Sequence, residues 1–190
     1  MIRLLNSASV IVSLIGDKTV RRVALIFMVV LVLSLGSCTT IDDDRIPSLP
    51  VNINLSTTDL WVTYGVAGYG EYRSFILALR EPRNFPFTEG TRTGFGGVLL
   101  VSGLNPYTLE AGVPLAYDLS CPVECKPDVR VVMVTDGPLP EAVCPVCGSN
   151  YDVVELGGSP TSGPALSKKY GLRRYECRTS GYGGYLINNI

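Results

Sequence analysis

Two short cysteine turns constrain this chain more than any other feature. Cys121-Pro122-Val123-Glu124-Cys125 is followed, after eighteen residues, by Cys144-Pro145-Val146-Cys147-Gly148. Each turn aims two sulfurs at one point, and the insert is long enough for a hairpin that brings the second pair back to the first. Backbone N–H groups of such turns hydrogen-bond the thiolates. Pro145 stiffens the second turn, and Gly148 permits the backbone conformation that continues it. The spacing suits a zinc ribbon or an iron–sulfur site, with Cys121, Cys125, Cys144 and Cys147 as candidate ligands. The chain has six cysteines and no histidine. Imidazole ligands, Ser–His and Cys–His nucleophile pairs and His-based acid/base catalysis are therefore excluded. In an oxidising compartment the same pairs can instead close as disulfides.

The N-terminal segment reads as an address. Arg21-Arg22 precede an apolar run over residues 23–35, which ends Leu35-Gly36-Ser37-Cys38. Thirteen apolar residues are short for a membrane span but suit a signal-peptide core. Small residues before a cysteine resemble the bacterial lipobox, which implies a signal peptide over 1–37 and a lipidated Cys38 as the new N-terminus. The expected location is a membrane-anchored lipoprotein outside the cytoplasm. The other reading is a buried helix or a single membrane anchor, with Cys38 incidental. Asp42-Asp43-Asp44 follow, either as a signal resembling the surface-export run of Bacteroidetes lipoproteins or as part of a solvated tether. Residues 38–50, ending Pro47-Ser48-Leu49-Pro50, are expected to be tether and linker.

The body, residues 51–190, reads as one all-β domain. Val51-Asn52-Ile53-Asn54-Leu55 alternates apolar and polar, as a half-buried strand does. A helical turn and a strand compete over residues 57–64, because Thr57-Thr58-Asp59 offers a helix cap. Further strands are expected over 72–79, 98–101, 115–119, 129–134, 141–143, 151–154, 172–177 and 185–187. Residues 80–97 are rich in Pro and Gly and read as loop. Short strands with such turns point to a sandwich or barrel. Thirteen prolines, twenty glycines and 17% charged residues exclude a long-helix protein, and a net charge of −1 excludes the basic footprint of a nucleic-acid binder.

A family resemblance runs through the second half. Cys144-Pro145-Val146-Cys147-Gly148-Ser149, then Tyr151-Asp152, then Gly157-Gly158-Ser159-Pro160, Gly163-Pro164-Ala165 and Leu172-Arg173-Arg174-Tyr175 resemble, in that order, elements of a Rieske domain. Cys121-Pro122 would match that family's first loop. The resemblance covers about residues 115–178. It implies an antiparallel β fold whose cysteine-loop subdomain, about 119–165, holds a 2Fe–2S cluster. It further implies that Ser149 hydrogen-bonds a cluster sulfur, that Pro164 lies in the covering loop, and that Asp152 is a turn residue. The departures are equally plain. Cys147 and Val123 stand where that family has its two histidines, so a strict Rieske centre is excluded. A four-cysteine site remains, for 2Fe–2S or for Zn²⁺.

Two functions are thus expected from the sequence. One is a lipoprotein with a Rieske-like domain whose four-cysteine site serves electron transfer to a redox partner protein, or holds structural zinc. The other is a metal-free, degenerate Rieske-like surface or binding module with disulfides, whose contacts come from the 80–97 loop. No recognisable nucleophile motif or mononuclear-iron domain supports an enzyme, and no nucleic-acid partner is expected. Cys177 reads as a small buried hydrophobe.

Overall fold

The computed structural model describes residues 40–189 apart from 106, together with residue 22. The chain divides into Met1–Thr40 and Ile41–Ile190, and the second unit carries the strands and helices of the domain. The apolar run, Gly36-Ser37 and Cys38 lie outside the described residues. Among the described residues no helix is long and apolar enough to cross a membrane.

The described chain is all-β, with eleven strands and two short helices. The strands are β1 (Val51–Thr57), β2 (Tyr72–Phe75), β3 (Arg92–Thr93), β4 (Val98–Leu104), β5 (Ala111–Asp118), β6 (Val132–Val134), β7 (Glu141–Val143), β8 (Asn150–Asp152), β9 (Ser159–Ser162), β10 (Arg174–Thr179) and β11 (Gly183–Asn188). Helix α1 covers Thr58–Tyr64 and α2 covers Gly163–Lys168. A seven-stranded antiparallel sheet runs β2-β4-β5-β10-β11-β1-β3, and a four-stranded one runs β6-β7-β8-β9.

Local chemistry explains most of these elements. The alternation expected in β1 is realised, with Val51, Ile53 and Leu55 buried and Asn52 and Asn54 exposed. At 57–64 the helix wins, because the Thr57 hydroxyl accepts the N–H of Leu60 and caps it. The strand expected over 72–79 stops at Phe75 and gives way to a 3₁₀ turn over Leu77–Leu79. The 80–97 segment carries β3, which pairs with β1, and it buries Phe85 against Phe75. Part of that loop is therefore core.

Strand β4 explains how two cores coexist. Val98 and Leu100 enter one cluster with Ile53, Leu55, Phe75 and Ile187. Leu99 and Val101 enter the other with Leu119, Cys121, Cys144 and Tyr151. Both faces of β4 are buried, so it reads as an unbroken apolar run and not as an alternation. The second cluster joins the large sheet to the cysteine hairpins.

The expected tether is docked, which moves the domain boundary back from residue 51 to 41. The Asp42 N–H donates to Lys169 O at 2.8 Å, and the Asp42 carbonyl accepts from Gly171 N at 2.8 Å. Ile46 is fully buried. Asp43 receives Nε and Nη2 of Arg174 at 2.9 and 2.7 Å, and Asp44 pairs with Arg173 at 2.9 Å. Two of the three carboxylates thus hold ion pairs, Asp43 half-buried and Asp44 still largely exposed.

Candidate metal centre

Both cysteine turns sit at hairpin tips. The first leaves β5 through Leu119 and Ser120, where Cys121 donates its N–H to Val129 O and Val131 donates to Leu119 O. The second joins β7 to β8 and is closed by the Cys144 N–H on Ser149 O at 2.9 Å. In each turn the first cysteine's carbonyl accepts the N–H four residues on: Cys125 to Cys121 at 2.8 Å, and Gly148 to Cys144 at 2.9 Å.

The fold brings three of the four expected ligands together. The sulfurs of Cys121, Cys144 and Cys147 all lie within 4.8 Å of one another. Cys121 and Cys147 are 3.6 Å apart. Cys121 and Cys144 are fully buried, while Cys147 is half-buried. Cys125 does not join them. Its backbone is left-handed at φ 51°, and its thiol faces the carbonyl of Arg45 at 3.6 Å. The four-cysteine expectation is therefore corrected to a three-cysteine cluster. All five described cysteines are free.

The surrounding shell is polar where it meets the sulfurs. Ser149 is buried, and its Oγ accepts from the Cys147 thiol at 3.2 Å and from Ala165 N at 3.0 Å. Burial alone raises the Cys147 thiol. Once that thiol loses its proton the Ser149 hydroxyl can turn to donate to the thiolate, and this, with the Ser149 N–H and the Cys121 and Cys144 thiols, outweighs burial and holds Cys147 below its usual range. Burial pushes the Cys121 thiol up, against the opposing backbone N–H groups of Glu124 and Val123. A bound cation would reverse that penalty, because a coordinating thiol is deprotonated.

Pro164 is exposed at the start of α2, and its neighbours make the contact with the turn. Gly163, at φ 73°, packs so closely that an added Cβ would lie 2.8 Å from Ser149 Cα. The Ala165 N–H ties α2 to Ser149. Asp152 is a turn residue, its Oδ1 accepting the N–H groups of Val154, Glu155 and Leu156. Cys177 packs half-buried against the other core.

Sequence reasoning had no role for Tyr151 in the site. Its side chain is fully buried, and its hydroxyl lies 3.6 Å from Cys121 Sγ. The signal was present in the period-two step from Ser149 to Tyr151, which puts both on one face of the strand that leaves the turn.

Three thiols converging from two hairpins, with a hydroxyl on each of two sulfurs, can hold a soft cation and lock the hairpins together. Compared with family models, curated proteins and solved structures, the chain matches none.

Proposed function

We propose that this chain is a lipid-anchored protein outside the cytoplasm, and that one zinc ion on Cys121, Cys144 and Cys147 clasps its Rieske-like β domain. The role of the ion is structural. The observation that carries this reading is the grouping of three sulfurs from two hairpin tips within 4.8 Å.

The choice of one ion follows from geometry. Zn–S bonds of about 2.3 Å in a tetrahedron put neighbouring sulfurs about 3.8 Å apart. The Cys121–Cys147 separation of 3.6 Å is close to that edge. The cluster implied by the family resemblance distributes four ligands over two irons. Three thiols in one group do not fit it, and the chain has no imidazole to complete it. A group of this kind favours a structural ion over electron transfer.

A structural ion supplies folding energy, because the unfolded chain has no preformed site. The large sheet has its own core, so the stabilised part is the four-stranded sheet with its two tips. The anchor rests on residues 21–38, whose charge, apolar length, small residues and cysteine occur in lipobox order.

Metal analysis of the full chain, purified from membranes, tests the centre. About one zinc per chain is expected. Two irons with visible charge-transfer bands, or no metal together with paired thiols, would overturn it. Labelling with a fatty-acid probe tests the anchor. The label is expected on the full chain and absent from Cys38→Ala; a label that persists in the variant refutes the lipid site.

A further inference from the structure

Cys121 and Cys147 stand on different hairpin tips, 26 positions apart in the chain, yet their sulfurs are 3.6 Å apart. Both thiols are free. A disulfide holds its sulfurs at about 2.05 Å, so a small shift of one tip toward the other joins them. The pairing that sequence proximity suggests for the first turn is not available. The Cys125 thiol is turned to the Arg45 carbonyl, outside the cluster.

Solvent reaches the three clustered sulfurs unequally. Cys121 and Cys144 are fully buried, and Cys147 is half-buried. The residues around Cys147 are open. Pro145, Val146 and Gly148 are exposed, and an added Cβ on Gly148 would meet nothing within 4 Å. A small oxidant therefore meets Cys147 first, and the sulfur that faces it across the two tips is that of Cys121.

We infer that Cys121 and Cys147 form a peroxide-sensitive release for the ion, an inference that rests on the zinc reading of the cluster. The Cys147 thiolate attacks a peroxide, the O–O bond breaks, hydroxide departs and the sulfur becomes a sulfenic acid. The Cys121 thiolate then attacks that sulfur, the S–S bond forms and a second hydroxide departs. Two electrons pass from the two sulfurs to the peroxide. Cys144 is left as the one thiolate of the cluster, and a single thiolate does not retain zinc. The disulfide ties the same two tips that the ion tied, so the domain stays folded after release. Outside the cytoplasm, where the chain is proposed to reside, such a bond persists.

The test uses the full chain, purified from membranes under a reductant that is then removed without air, and hydrogen peroxide in small molar excess. The reduced chain is expected to hold about one zinc. Peroxide is expected to release that zinc to a chromogenic chelator and to remove about two free thiols. Reductant with added zinc is expected to restore both. Trypsin cleaves after Arg130, between the two cysteine turns, so mass spectrometry reads a linked pair of peptides and their fragments name the cysteines. Cys125→Ser is expected to give the same link, and circular dichroism to keep its β signal after oxidation. Zinc retained with its thiols intact overturns the inference and leaves the zinc reading standing. So does a link that omits Cys121 or Cys147, a link lost in Cys125→Ser, release that reductant and zinc do not reverse, or release accompanied by unfolding. A reduced chain without zinc overturns the zinc reading, and the release falls with it.

Discussion

The hydroxyl of Tyr175 donates to Asp118 Oδ2 at 2.6 Å in the interior of the large sheet. Asp118 is fully buried, and its carboxyl also accepts the N–H groups of Phe95, Gly96 and Ser120. One side chain thus ties the start of the first cysteine hairpin to the loop before β4 and to β10. Gly94 and Gly96 press against this node, leaving no space for a Cβ at either position. Tyr175→Phe is expected to lose about 1–2 kcal/mol, the value of a hydrogen bond to a buried acceptor. Asp118→Ala strands several buried donors and is expected to cost more. Urea unfolding of both variants checks the order; equal stabilities would refute it.

Docking of the segment before β1 makes a second prediction. Ile46 is fully buried, so Ile46→Ala is expected to cost about 2–5 kcal/mol. Asp44 is largely exposed, its side chain 84% accessible, and Asp44→Ala is expected to cost less than about 1 kcal/mol despite its pair with Arg173. A chain that begins at residue 51 is expected to unfold at lower urea than one beginning at residue 41. Matching midpoints for those two chains would show that the segment is a free tether.

Two glycines at the second cysteine turn separate steric from backbone effects. Gly148 has φ 68° and open space around it, so Gly148→Ala carries only the left-handed penalty of about 1–2 kcal/mol. Gly163 has φ 73° and also meets Ser149 Cα and Gly148 O below 3 Å. Gly163→Ala is expected to be the more damaging, because it pushes α2 off the turn. Thermal unfolding of the two variants measures the difference, and a reversed order would contradict the close packing of α2.

Alkaline pH is expected to destabilise the fold. Burial, reinforced by the Glu176 carboxylate, pushes the Cys177 thiol from its ordinary 9.0 up to about 12. The unfolded chain then releases this proton first. Cys177's share of stability is complete below about pH 9 and is lost as pH rises toward 12. Burial raises Tyr117, Tyr151 and Tyr175 in the same direction, which steepens the loss above about pH 10. Between pH 9 and 10 the urea midpoint of Cys177→Ala should fall less steeply than that of the wild type. Parallel slopes would mean that this thiol titrates freely when folded.

Much of the architecture was legible because strand periodicity is a local property. Val51–Leu55 announces β1, and the Gly and Pro clusters mark where strands end. Less was legible where neighbours compete. Residues 57–64 carried a helix cap and a strand pattern together, and the Thr57 side chain decided for the helix. Strand β9 was missed, because Ser159-Pro160-Thr161-Ser162 has neither alternation nor bulk and is held by pairing with β8. Of the candidate ligands, Cys121, Cys144 and Cys147 come together as their spacing suggested. Cys125 does not, because the sign of one φ angle turns its side chain out of the cluster.

From residue order alone came the all-β class, the two cysteine turns and the exclusion of imidazole chemistry, since these depend on periodicity, spacing and composition. Tertiary structure decided which sulfurs meet, that Tyr151 and Ser149 lie against them, and that Asp43 and Asp44 find Arg174 and Arg173 about 130 positions away in the chain. Those partners are distant in sequence and adjacent only once the sheets have formed, so no local pattern encodes them.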